Sequence, residues 1–569
     1  MFVVKKNIKG GEYYYLNENK RVGGKVKTKS LAYLGKNKKE AIKKANEIMD
    51  SMKKETEKEI VVTPEPEKEI KVGKKIDEIN KIATSRGFFF QTAEIYGGNA
   101  GFYTYGHLGK LLKINWENLW RKHFLSLDDN FHEIQSNNIL PEAVFKASGH
   151  LENFNDPMTE CKKCRFRFRA DQFLEDNGVG EAEKLSIEEM SNVIREKKLK
   201  CPKCGGELGE VKQFNMMFSV NVGFNDEKSY LSPETAQGAY ITFLNEFKAT
   251  RGKLPLGLAI IDKAYRNEIS PRQMFFRLRE FSQAELQIFF DSNKIDEHDK
   301  WKDVAKKILR VKLAKDKDIG EKSCENLHKD GIPKFYVYYL AKVQEFYLDI
   351  LMIPKEKFRF RELGKEERAF YNKIHFDVEV DLETFGGFRE VGGIHYRGEH
   401  DLIGHAKISG KNFEVFYDGK KVLPHVLELS FGVDRNIWTL LDIFYRVGKD
   451  GSMFSFPTTI SPIKAAVFPI VKRDDFEKMA DEIVSDLGKE SKIVYDKGGS
   501  IGRRYARNDE IGTPFCITID EESLKGKDVT IRERDTTKQI RVKIADLKNS
   551  LKKIVDGDLE FEKAGKIFK

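Results

Sequence analysis

The sequence predicts a multidomain chain of mixed helix and strand, with a strand–turn–strand unit near its middle and a compact α/β unit at its end. Three observations predict it. At 569 residues the chain is too long for one hydrophobic core. In 254–290 an apolar run, "LPLGLAI", turn chemistry at Ser270-Pro271-Arg272 and an aromatic-rich continuation read as two strands around a short turn. From about 463 the short apolar strands "IKAAVFPIV", "SKIVYDK" and "TPFCITID" alternate with the helical segments "DDFEKMADEIVSDLGK" and "SIGRRYARNDEIG".

In chain order, residues 1–75 form a basic N-terminal appendage and linker. A β-rich piece, "EYYYLNENKRVGGKVKTKSLAYLG", precedes a helix, "KNKKEAIKKANEIMDSMKK", and then the charged, proline-containing "TEKEIVVTPEPEKEIKVGKK". Residues 1–56 hold 15 Lys/Arg against 6 Asp/Glu, within a whole-chain net charge of +10. So concentrated a patch fits a polyanion such as nucleic acid, and equally a solvated lysine-rich face. The 33% of charged residues, rich in Lys and Glu, is also a trait of heat-adapted proteins. No run of 18 apolar residues is present, and the start "MFVVKKNIKGGEYYY" has no signal-peptide core. A soluble cytoplasmic protein without membrane contact is expected.

The main region, 76–460, opens with the helix "KKIDEINKIATSRG" and carries two interruptions, a cysteine-containing one at 157–213 and a mostly helical one at 292–355. The pairs Cys161/Cys164 and Cys201/Cys204 have the spacing that places two thiolates each on one tetrahedral ion. Four protein ligands close the coordination shell, so a structural Zn²⁺ is expected, with a redox dithiol as the rival. Cys324 and Cys516 stand alone.

Arg266, Glu268, Arg277, Arg279, Glu280 and Glu285 are spread through the central hairpin. Arginine offers a planar fork that grips phosphate or carboxylate oxygens in fixed geometry. Strand alternation would put Arg266 with Glu268, and Arg277 with Arg279, on a common face. A surface sheet with cross-strand ion pairs explains the same pattern. Downstream, "LELSFGVDRNIWTLL" reads as Glu428, Ser430, Gly432 and Arg435 at the start of an apolar helix. Small residues there let helix amides and an arginine approach a ligand, although an ordinary surface arginine also fits.

Taken together, these stretches resemble the signature motifs of class II aminoacyl-tRNA synthetases, over roughly 76–565. "GFYTYGHLGKLLKINWENLWRKHF" through "NILPEAVFKASGHLENF", with Pro141, resembles motif 1; "YRNEISPRQMFFRLREFSQAE" resembles motif 2; "ELSFGVDR" resembles motif 3. "LSPETAQGAY" and "REVGGIHYRGEHDL" are similar to segments of the homodimeric archaeal/eukaryotic glycyl branch. The resemblance implies an α+β catalytic core, an antiparallel sheet flanked by helices, with a zinc-ribbon-like insertion and a C-terminal α/β anticodon-binding domain at 463–569. It implies a homodimer that uses ATP and Mg²⁺ to join glycine to tRNA(Gly). Histidyl, threonyl or prolyl enzymes are the nearest competitors, and a noncatalytic nucleic-acid-binding relative is the alternative from another class.

Carried over residue by residue, the resemblance implies that Arg266 and Arg435 are catalytic, on the α- and γ-phosphates. It implies nucleotide contacts from Asn267, Glu268, Phe276, Arg277, Leu278, Arg279, Glu280, Phe281, Glu390, Val391, Gly432, Val433 and Asp434, with Mg²⁺ at Glu390. It implies glycine contacts from Glu234, Phe281, Ser282, Gln283, Ala284, Glu285, Glu428, Ser430 and Gly432, with Arg397 facing the carboxylate. Glycine has no side chain to grip, so a pocket must exclude larger amino acids. Two positions depart from the family: Lys146 stands where arginine is usual, losing the bidentate fork, and Leu429 stands where proline is usual.

Overall fold

The computed structural model describes residues 2–8, 11–22, 25–46, 72–271, 273–369, 372–448, 451–489 and 492–568. The chain divides into two compact units, Met1–Glu69 and Ile70–Lys569.

In the first unit the strands Phe2–Ile8, Gly11–Val22 and Lys25–Gly35 form an antiparallel sheet in chain order. Strand alternation puts Tyr14, Leu16 and Leu34 on one face, where they pack with Ala41 and Ala45 of a helix that starts at 38. Asn37 caps that helix, its Oδ1 accepting from the Lys39 amide at 3.0 Å. The rest of the expected helix and most of the charged linker lie outside the described residues.

The second unit is built on a nine-stranded sheet. Its middle is antiparallel, in the order Ile374–Leu382, Gly387–Gly398, His425–Gly432, Glu280–Phe290, Leu256–Tyr265. Along Glu280–Phe290 the two faces differ. Ala284, Leu286, Ile288 and Phe290 join the main core, whereas Gln283, Glu285 and Gln287 turn to the opposite side. On the core side the helix His107–Phe124 presses Trp116 and Trp120 against Phe431, with ring centroids 6.5 and 6.0 Å apart. On the other side the helix Ala236–Ala249 covers one end of the sheet through Tyr240 and Phe243, Phe243 stacking on Phe289 at 4.4 Å. A polar strip therefore lies over a fully packed floor.

Two expectations are corrected. The central hairpin has no short turn: its strands end at Tyr265 and resume at Glu280, with a long loop between that contains a 3₁₀ turn, Met274–Phe276. Nor is 292–355 simply a helical insertion. It supplies the strands Ile308–Lys312 and Gly320–Ser323, which continue the nine-stranded sheet to its edge, and its helix Lys334–Glu345 is buried in the main core. Its lysines mark only the solvent side of those elements.

The cysteine-containing segment is a small module. Three short strands, Asn155–Glu160, Arg167–Arg169 and Lys212–Asn215, pair with one another, and the helices Ala170–Asp176 and Ile187–Glu196 share a small core around Leu174, Met190 and Ile194. At the C-terminal end, Ile493–Tyr495, Ala465–Pro469 and Phe515–Ile519 pair in parallel, and three antiparallel strands extend them to six. Helices Asp474–Leu487 and Ile544–Asp556 close this α/β core. Among the described residues no helix is long and apolar enough to cross a membrane.

Candidate active site

Three glutamates cluster at the polar strip: Glu285 and Glu428 are buried, and Glu234 is 12% exposed beside them. Glu285 lies opposite Ser430 in the strand register, and Gln287 lies opposite Glu428. Glu285 accepts hydrogen bonds from Ser430 Oγ and Thr235 Oγ1, each at 2.7 Å. Burial, then the charges of Glu428 and Glu234, raise its carboxyl to about 7 against those two hydroxyls. Glu428 accepts from Gln287 Nε2 at 2.8 Å and pairs with His395 Nδ1 and with Arg397 Nη1 at 3.1 Å. Burial opposes ionisation of Glu428, but Arg397 and His395 outweigh it and lower its pKa. Glu234 is held low in the same way, by Arg397 and His150 against burial. The cluster thus carries two firm carboxylates and one poised to lose or gain a proton near neutrality.

A cavity opens beside this cluster, where Ser430, Gly432, Ser282 and Gln283 meet the loop after Tyr265. Gln283 keeps a buried Oε1 with no hydrogen-bond donor among the described residues, an acceptor available to a ligand. Arg266 lines the cavity between the rings of Phe154 and Phe281, at 5.5 and 5.2 Å, with its Nε donating to the Pro233 carbonyl at 3.1 Å. Arg435, in the first turn of the helix Val433–Ile443, also borders the cavity, over Phe276 at 5.8 Å and 2.9 Å from Glu390. Arg277 lines it too, bonded to Gln172 of the cysteine module at 3.1 Å and 3.6 Å from Glu268. Two guanidiniums in one cavity with aromatic side chains, beside a carboxylate cluster, can hold a polyphosphate nucleotide next to a small ammonium-bearing substrate.

Glycines on the strand Gly387–Gly398 keep space at the strip: a Cβ on Gly392 would stand 2.7 Å from the Ser430 carbonyl oxygen. A Cβ on Gly393 would stand 2.6 Å from His395 Nε2, so a side chain there would displace the imidazole that supports Glu428.

In the cysteine module the four Sγ atoms lie within 4.8 Å of one another. Cys161 and Cys204 approach to 3.6 Å, Cys164 and Cys201 to 3.7 Å. Gly206 makes the closeness possible, since a Cβ there would meet Cys161 Sγ at 3.1 Å and Cys204 Sγ at 3.2 Å. The donor set and spacing fit a tetrahedral Zn²⁺.

Comparison with known proteins agrees with this layout. A model described as "tRNA synthetase class II core domain (G, H, P, S and T)" matches 218–444, "Anticodon binding domain" matches 464–554, and "IS1634 family transposase, N-terminal domain" matches 3–66. Prolyl-tRNA synthetase from Cryptosporidium parvum, solved with L-proline and AMP, superposes with a TM-score of 0.51 at 12% identity, covering 84% of this chain and 75% of that one. That likeness establishes the fold. The glycine–tRNA ligase of Pyrococcus abyssi is 39% identical over 85% of this chain and 99% of its own length; that of Methanococcus maripaludis is 35% identical over 83% and 98%. The chain belongs to the glycine–tRNA ligase family.

Measured against the residues expected of a glycine–tRNA ligase, the structure divides the set. Arg266, Glu268, Phe276, Arg277, Leu278, Phe281, Ser282, Gln283, Glu390, Ser430, Gly432, Asp434 and Arg435 line one cavity. Others are elsewhere. Arg277 and Arg279 are not paired on the returning strand: both lie in the loop, and Arg279 turns away to the carbonyls of Glu268 and Ala100 at 3.0 and 3.3 Å. Glu280 pairs with Lys263 at 3.1 Å. Asn267 contributes its amide to the Met216 carbonyl. Val391, Val433 and Ala284 are core residues, fully buried. Glu428 and Ser430 lie on the strand His425–Gly432 rather than at a helix start.

Arg397 is buried and held by Asp401 through two bonds of 2.8 Å, with Glu428 and Glu234 around it. Lys146 is exposed and paired with Glu142.

Sequence reasoning missed the supports. Asp434 is locked by Tyr105 OH, the Ser282 amide and Lys113, a buried lysine whose pKa burial lowers. Thr235 and Gln237 adjoin Glu234 in "PETAQG", and Gln237 bridges Glu234 at 2.8 Å to His405 at 2.9 Å. His395 continues to His375 Nε2 at 3.0 Å and on to Asp377 at 3.0 Å. The "GGIH" run in the sequence held the signal for His395.

Proposed function

We propose that this chain activates glycine with ATP, forming glycyl-adenylate and pyrophosphate, and then transfers glycine to the 3′ end of tRNA(Gly). The observation that carries it is a cluster of three glutamates joined, through the Ser430–Glu285 hydrogen bond, to a cavity lined by both Arg266 and Arg435. The nucleophile of the first step, the glycine carboxylate, is already an anion, so the step needs charge neutralisation and in-line placement more than a base. Arg266 neutralises charge gathering on the α-phosphorus as the new C–O–P bond forms and the bond to pyrophosphate breaks. Arg435 holds the departing pyrophosphate. Of the two loop arginines, Arg277 belongs to the nucleotide site and Arg279 braces the loop.

The ammonium group of glycine is taken by Glu285, with Ser430 and Gln283 Oε1 beside it. Glu234 and Glu428 keep the surroundings negative, and a substrate Cβ meets this crowded strip. Glu390 is the acidic group placed to carry Mg²⁺, which supplies further charge neutralisation on the phosphates. Cys161, Cys164, Cys201 and Cys204 hold a structural Zn²⁺ that fixes the module against which Arg277 is bonded. The chain works as a homodimer in the cytoplasm. ATP-dependent charging of a tRNA(Gly) transcript with radiolabelled glycine tests this reading: absence of charging rejects it.

The zinc assignment makes its own prediction. Cys201→Ser lowers metal content from about one equivalent per chain to near zero by elemental analysis, because three ligands bind far more weakly than four. Protease cleavage then appears within 157–213, since the module's core around Leu174 is too small to stand alone. Full metal content in that variant would remove zinc from the account.

A further inference from the structure

We infer that the N-terminal unit is a separate RNA-binding module whose open sheet face takes unpaired bases. The preference for RNA among polyanions rests on the ligase reading; the face itself does not.

The inward face of the three-stranded sheet is spent on packing: Tyr14, Leu16 and Leu34 close against Ala41 and Ala45. Alternation therefore sends Tyr13 and Tyr15 to the opposite face. The register sets Lys6 beside Tyr13 and Tyr15 beside Tyr33. The three rings form one patch, Tyr33 lying 5.3 Å from Tyr15 and 6.2 Å from Tyr13, centroid to centroid. Tyr33 is 53% exposed, a large aromatic left in water with no packing role on the side where the helix lies.

Cations lie over two of the rings. Lys6 Nζ lies 5.0 Å from the Tyr15 ring and Lys36 Nζ 5.2 Å from the Tyr13 ring. The surrounding sequence is strongly basic, with 15 Lys/Arg against 6 Asp/Glu in residues 1–56. Exposed rings on a sheet face with lysine ammonium groups over two of them bring together the two contacts that single strands require, stacking on bases and pairing with phosphates. A duplex offers phosphates and groove edges but no base faces, so the rings would gain little from it. The charge selects a polyanion, and the rings select one whose bases are free.

The test uses the full-length protein and fluorescence anisotropy with a labelled 12-nucleotide single-stranded RNA of mixed sequence. The double variant Tyr13→Leu/Tyr33→Leu keeps apolar bulk but removes the stacking rings, and should weaken binding at least about tenfold. Lys6→Gln/Lys36→Gln changes two exposed side chains, leaves the core intact, and should reduce the slope of log affinity against log salt by about 1.4. Glycine-dependent pyrophosphate exchange should be unchanged in both, which separates failure here from failure of the ligase reading. Parent-like RNA binding by both variants overturns the inference. So does tighter binding by the parent to an RNA or DNA duplex of the same sequence than to the single strand.

Discussion

Arg266→Ala lowers glycine-dependent ATP–pyrophosphate exchange by roughly 10²–10³-fold, the loss typical of removing one fixed charge donor from a transition state. The structure explains why so much rests on one side chain. Its guanidinium is held in place before substrate arrives, between Phe154 and Phe281 and by the Pro233 carbonyl. No reorganisation is then needed as charge builds on the α-phosphorus. Arg266→Lys should recover little, because an ammonium keeps the charge but not the planar fork or the ring contacts. The loss should fall mainly on kcat, with a smaller rise in KM for ATP, since the interaction strengthens in the transition state. Thermal stability should change little, as the side chain lines a cavity. Exchange within about threefold of the parent would remove Arg266 from the chemistry.

Glu285→Gln has the second large effect, on glycine rather than ATP. Loss of a charged hydrogen bond to the substrate ammonium is worth about 1.5–3 kcal/mol, or roughly 10–100-fold in KM for glycine. The pH dependence is the sharper readout. Burial and the neighbouring Glu428 and Glu234 raise the Glu285 carboxyl to about 7, above an ordinary value of 4.5. Below pH 7 the free site is protonated and must release that proton to bind an ammonium, so KM for glycine rises as pH falls through 7. In Glu285→Gln this dependence is absent. Stability moves the opposite way. Between 4.5 and 7 the folded state holds this proton more tightly than the unfolded chain, so the ionised glutamate opposes folding as pH rises. Glu285→Gln should therefore be more stable than the parent at pH 8, with the difference closing toward pH 5. Circular-dichroism melts at both values measure it.

What the sequence disclosed follows from what local pattern encodes. Cysteine spacing and the alternating C-terminal segments are local, and each led to the right element, whereas the hairpin arginines lie in the loop between the strands rather than on them. The fate of Arg277 and Arg279 is not local. Two residues apart, they read as partners on one strand face, yet the loop that carries them sends one to Gln172, over one hundred positions away in sequence, and the other to Ala100. Glu428 and Ser430 were recognisable, but "LELSFG" next to an apolar helix conceals that the strand His425–Gly432 runs up to residue 432. The pairing of Arg397, near the end of the strand Gly387–Gly398, with Asp401 in the helix that follows becomes visible only when both are seen buried together. Among the supporting residues Lys113 carries no motif of its own, while Thr235 and His395 sit in "PETAQG" and "GGIH", runs whose sequence alone does not say what they support. They acquire meaning from register and from burial.

The central claim is that the glutamate strip beside Ser430 selects glycine for activation by ATP. Amino-acid-dependent pyrophosphate exchange, measured in parallel across the standard amino acids, tests it most directly. Exchange should respond to glycine alone, with alanine at least about a hundredfold weaker in kcat/KM because its methyl group meets the strip. A response to alanine, proline or serine comparable with that to glycine would contradict it.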